Sequence, residues 1–141
     1  MADTPRHRAR ELVLKALYAY EQQDAWSDEN LERIIGDERI SEKNLRFVKD
    51  LFRHVVDNLE RVDGIISKLA RNWDLSRIAV LDRNILRMAI IEVEKMPDVP
   101  VKVVINEAIE LAKTFSTRES SAFVNGLLDN YVKQVEGSKK A

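Results

Sequence analysis

The chain has 141 residues, 33% of them charged and 45% hydrophobic, with a formal net charge of −1. That length allows one domain, or two small subdomains sharing a core, and the composition excludes a disordered chain. A near-neutral balance excludes a whole-protein field for nucleic acid, so such binding needs a local patch. The absence of cysteine excludes a disulfide framework and thiol chemistry.

The charge is unevenly placed. Residues 1–10 hold Arg6, Arg8 and Arg10 against Asp3, whereas 24–38 hold Asp24, Asp28, Glu29, Glu32, Asp37 and Glu38 against Arg33. The arginines front an apolar stripe at Ala9, Leu12, Val13, Ala16, Leu17 and Tyr20, the spacing of a helix with one buried face. This predicts a first helix over 5–23 whose arginines lie where the chain still projects from the fold. Their planar forks suit phosphate oxygens. Cations at a helix N-terminus oppose the macrodipole, so helix stability does not explain three of them. The alternative is a solvated helix start.

A short helix is expected near 28–36, ending at Gly36. A long one over 41–72, opened by Ser41, turns Leu45, Val48, Leu51, Phe52, Val55, Leu59, Val62, Ile66 and Leu69 inward. Trp73–Asp74–Leu75–Ser76 reads as a joint. The next helix, 76–95, is apolar almost all round, which places it centrally. Pro97 and Pro100 stop it. Val101, Val104, Ile105, Ala108, Ile109 and Ala112 keep helical spacing to Phe115. Ser116 to Glu119 then forms a capping-box pattern for a last helix to about 134, with Phe123 or Val124, Leu127, Leu128, Tyr131 and Val135 inward. Gly126 within it implies close approach of another backbone, and the tail 137–141 is expected to be loose. The fold class is therefore all-α, with two small helical bundles sharing one core: 1–73 with the arginine-rich arm, and 74–141.

No chemistry-bearing motif stands out. His7 and His54 lack the ligand spacing of a metal centre, and no cofactor is expected. There is no nucleophile elbow and no phosphate loop. Glu107 and Glu110 read as solvated carboxylates on an exposed face. No stretch is long enough to span a bilayer and no apolar leader begins the chain, so a cytoplasmic protein without enzymatic activity is expected. Tyr20, Phe52, Phe115 and Tyr131 fall on apolar stripes, and Trp26 and Trp73 flank joints as packing pieces. Tyr18 points outward, as interface tyrosines do. Asp82 is an acid interrupting an apolar helix, well placed to meet a basic subunit.

The blocks Val80-Leu81-Asp82-Arg83-Asn84-Ile85-Leu86-Arg87-Met88-Ala89, Asp98-Val99-Pro100, Ile105-Asn106-Glu107-Ala108-Ile109-Glu110-Leu111-Ala112-Lys113 and Phe123-Val124-Asn125-Gly126-Leu127-Leu128-Asp129 closely resemble the bacterial NusB family of transcription antitermination factors. The Arg-x-Arg-x-Arg-Glu run and Ala16-Leu17-Tyr18 resemble that family's start. The resemblance implies an all-helical, non-catalytic protein that binds a single-stranded boxA element of rRNA leader transcripts. It does so with NusE, a small-subunit ribosomal protein, and joins other Nus factors on RNA polymerase. The family's RNA arm maps onto Arg6, His7, Arg8 and Arg10, and Phe123 matches a position near the RNA surface or in the core. His7 stands where the family is often basic, and Ala122 where it usually has lysine. The NusE contact maps onto Tyr18 and Asp82. Homodimerisation is left open. The competing reading is a protein-interaction module whose basic arm is incidental.

Overall fold

The computed structural model describes residues 4–23, 27–36, 38–71 and 75–140, with 138–140 described by their backbone alone. Among these, seven α-helices follow one another: α1 (Pro5–Gln22), α2 (Asp28–Ile35), α3 (Glu42–Asp57), α4 (Leu59–Leu69), α5 (Val80–Lys95), α6 (Val101–Phe115) and α7 (Arg118–Lys140), with one 3₁₀ turn at Leu75–Arg77. The residues Trp26, Asp24, Asp37, Trp73 and Asp74, which the sequence reading placed at joints or in the acidic tract, lie outside the described residues.

Local chemistry sets the helix starts. Pro5 occupies the first turn of α1, where a missing N–H costs nothing, and the Thr4 hydroxyl accepts the His7 amide at 3.0 Å. Ser41 caps α3 by accepting the Asn44 amide at 3.1 Å. Gly36 ends α2 with φ 53°, a left-handed conformation that favours glycine. The last helix is capped by Thr117, whose Oγ1 accepts the Ser120 amide at 3.0 Å. That is one residue later than the expected Ser116 to Glu119 box.

The expected long helix over 41–72 is two helices, and Asn58 divides them. Its side-chain Nδ2 donates to the His54 carbonyl at 2.7 Å, while its own amide tightens onto Val55. The side chain thus serves the carbonyl that Asn58's own amide would have taken in a continuing helix, a competition typical of asparagine. Two further expectations are corrected. No side-chain or backbone atom outside the helix lies within 4 Å of where a Cβ on Gly126 would stand, so no backbone closes on it. The tail continues α7 to Lys140.

Helix α5 is central, packing on α1, α3, α4, α6 and α7. Ile85, Leu86, Met88, Ala89, Ile90 and Ile91 are buried in one continuous core with Val13, Leu14, Leu51, Phe52, Ile66, Leu111 and Leu128. Each fully buried aliphatic side chain there is worth roughly 1.5–3 kcal/mol of transfer free energy. The helix is less apolar than its sequence implies, because Asp82, Asn84, Arg87 and Glu92 are buried in it too. One face of the start of α1, carrying His7 and Arg10, packs against α5 and α6.

Candidate nucleic-acid and partner interface

The first two turns of α1 carry the basic run, and packing gives its members different fates. Arg10 is 3% exposed. It donates from Nε and Nη2 to the two oxygens of Glu92 at 3.0 and 2.5 Å, a bidentate pair within the core. His7 is buried, with Nδ1 against the Glu107 carboxylate and Nε2 3.6 Å from Glu11. The projecting arm expected from sequence is thereby corrected at Arg10 and His7. One turn of helix spacing, i to i+3, points both at α5 and α6. Glu107, read from sequence as solvated, is their partner.

Arg6 and Arg8 remain towards solvent. Arg8 is exposed and donates to Glu11 at 2.6 Å and Glu38 at 2.5 Å; its hydrogen bond to Glu11 leads in holding its guanidinium above the ordinary pKa. Arg6 is half-buried. Its Nε donates to Asn44 Oδ1 at 2.7 Å and its guanidinium lies 4.2 Å over the Phe47 ring. Burial first, then the like charge of Arg10, lowers its pKa from the usual value, which leaves an arginine cationic at neutral pH. A cavity of about 590 Å³ adjoins the run, lined among others by Pro5, Arg8, Arg39, Ser41 and Asn44.

Tyr18 is 44% exposed, as its place off the apolar stripe requires. It borders a groove of about 290 Å³ with Leu14, Lys15, Leu81 and Phe115, drawing on α1, α5 and α6. The acid next to Leu81 does not share this surface. Asp82 is 5% exposed and accepts the Ser120 hydroxyl at 2.7 Å, tying the start of α5 to the start of α7. Its expected outward direction is corrected, but its side chain lines the groove shared with Arg77, Glu119 and Phe123, and a carboxylate in a first helical turn complements the helix dipole. Phe123 is half-buried against the core and lines grooves on two sides, one with Arg77 and Glu119, the other with Arg71 and Asn130.

Sequence reading missed a second polar network at the far end of α1. Arg87 makes paired bonds to Asp63 at 2.7 and 2.9 Å and reaches Glu21 at 3.1 Å and Asn84 at 2.8 Å, while Arg83 reaches Glu21 at 2.8 Å. Burial acts to lower the Arg87 pKa, but its bonds to Asp63 and Glu21 outweigh burial and raise it. The i, i+4 pair Arg83 and Arg87 on an apolar helix was the available signal. Among the described residues, no helix is long and apolar enough to cross a membrane, and no group of three or more His, Asp or Glu side chains could hold a metal ion.

Together these features define an all-helical binding protein, with a cationic helix start on one face and a tyrosine-bordered apolar groove on another. The chain belongs to the NusB family, whose model matches residues 7–133. It is 42% identical to a transcription antitermination protein NusB of Chloroherpeton thalassium over 93% of this chain, and spans 63% of that relative's length. The T. maritima NusB structure superposes with a TM-score of 0.85 at 40% identity, covering 92% of each chain. A crystal structure of the antitermination factors NusB and NusE in complex with double-stranded RNA shares the fold, with a TM-score of 0.81 at 23% identity over 89% of this chain and 94% of that one.

Proposed function

We propose that this protein is an RNA-binding transcription antitermination factor acting in the cytoplasm without catalysis. It binds boxA-type single-stranded RNA of rRNA leader transcripts as a heterodimer with NusE, alongside other Nus factors on RNA polymerase. The observation that carries this reading is the family match over residues 7–133, with a relative bearing the name of an antitermination protein at 42% identity. The surface supports it. At the start of α1, Arg6 offers a cation that no described carboxylate pairs, beside Arg8, which Glu11 and Glu38 share, and Phe123 offers a half-buried ring for a base, the two chemistries single strands require. We assign the arginine turn to an N-terminal bundle, 1–73, and the α5 and α6 walls of the Tyr18 groove to a C-terminal bundle, 74–141. NusE is assigned to that groove, where exposed Tyr18 and half-buried Leu81 supply apolar surface.

Mobility shifts with a boxA strand test this. The protein alone should retain the RNA weakly, and added NusE should tighten retention; Tyr18→Asp should abolish only the tightening. A parent protein that fails to retain RNA with or without NusE would leave the interaction-module reading standing instead.

A further inference from the structure

The arginine run is usually taken as a set of equivalent charges, but here its members are sorted by their partners. Arg8 is matched by Glu11 and Glu38, and Arg10 by Glu92. Arg6 is bound by no carboxylate among the described residues. Its Nε is committed to Asn44, whose own amide is held by the Ser41 cap, so the acceptor sits on a fixed turn of α3. The Nη groups, the outer edge of the fork, meet no acceptor among the described residues. Below the fork lies the buried ring of Phe47, with the Arg6 guanidinium 4.2 Å and the Arg10 guanidinium 5.2 Å from its centroid. Phe47 thus joins the buried Arg10–Glu92 pair to the half-exposed Arg6.

Resting on the RNA-binding reading above, we propose that Arg6 is the phosphate ligand of this run, and that Asn44, Phe47, Arg10 and Glu92 position it without touching RNA. A guanidinium packed over a ring and fixed at Nε has already lost much of its rotamer freedom, so binding through its outer edge costs less entropy. An arginine without a carboxylate partner does not have to break an ion pair to accept a phosphate. A fork leaving two N–H groups free can take a phosphate in the bidentate manner. Arg10 has none of these properties, because its Nε and Nη2 are spent on Glu92 and its Nη1 lies 4.0 Å from Glu107.

The test is the salt dependence of binding to a boxA oligoribonucleotide by the full chain, with a thermodynamic cycle. Arg6→Gln should weaken binding by about tenfold or more and reduce the salt slope by about 0.7. Phe47→Leu keeps an apolar side chain but removes the ring face. It should weaken binding about two- to fivefold when Arg6 is present and leave binding unchanged in the Arg6→Gln background, because it acts through Arg6. Replacing the buried pair together, as Arg10→Met with Glu92→Leu, leaves no unpaired charge and should preserve the slope. The ring current of Phe47 should also shift the Arg6 Nε–H resonance in the free protein, and Phe47→Leu should abolish that shift. An unaltered slope and affinity in Arg6→Gln, a slope reduced by the Arg10/Glu92 exchange, or a Phe47→Leu effect independent of Arg6 each overturns the assignment while the RNA reading stands. Absence of salt-dependent RNA binding by the parent protein overturns both.

Discussion

Replacing Arg10 by methionine should cost far more stability than a surface arginine could. Both partners of the Arg10–Glu92 pair are buried, and the two bonds, at 3.0 and 2.5 Å, engage both oxygens of the Glu92 carboxylate. Methionine retains the unbranched apolar stem and the helix propensity of the side chain, so the main perturbation is the lost guanidinium and the charge left behind. Breaking a buried pair from one side costs roughly 3–5 kcal/mol, because the remaining ion is neither hydrated nor compensated. For a chain near this length each kcal/mol moves the midpoint by roughly 2–4 °C, giving a fall on the order of 10–15 °C. The paired exchange Arg10→Met with Glu92→Leu should return to within about 2 kcal/mol of the parent, since apolar replacement of a buried pair is often neutral. Urea titration and thermal melting followed by circular dichroism measure both. A single Arg10→Met variant within about 1 kcal/mol of the parent would mean that Arg10 is hydrated and available, refuting the reasoning.

Two other perturbations discriminate equally well. Asp82→Ala should cost about 1–3 kcal/mol in urea unfolding through loss of the Ser120 bond in a buried site, and Asp82→Lys should unfold the chain before it disturbs any partner; unaltered stability in both would return Asp82 to the surface. Tyr131 has its phenol pushed up to about 12, by burial first and the nearby Glu94 second, with Arg61 opposing. The folded state therefore holds this proton from pH 10 to about 12 while the unfolded chain releases it, so stability conferred by Tyr131 is present below pH 10 and lost as pH rises through that window. Tyr131→Phe should shallow the alkaline loss of stability, and an identical alkaline profile would contradict the burial.

The fold was largely legible because its helices are strongly periodic. The stripe from Ala9 to Leu17 is buried as the spacing requires, and Gly36, Pro97 and Pro100 punctuate the chain where their backbone chemistry demands. The break at Asn58 was hidden, since the apolar spacing continues from Val55 through Leu59 to Val62 and only a side-chain bond to His54 interrupts it. At the site, the outward direction of Tyr18 could be read from the helical wheel. The burial of His7 and Arg10 could not. Their carboxylates, Glu107 and Glu92, are 100 and 82 residues away, and composition does not reveal pairing over that distance. Asp82 was misplaced for the same reason, its partner Ser120 being 38 residues on.

Antitermination itself is the most direct measurement: read-through of a terminator by RNA polymerase on a template whose transcript carries boxA, in the presence of NusE and the other Nus factors. Adding this protein should raise read-through. Altering boxA or substituting Arg6→Gln should return it towards the background without the protein. Read-through that is indifferent to the protein, or that rises equally on a boxA-less transcript, would contradict the account.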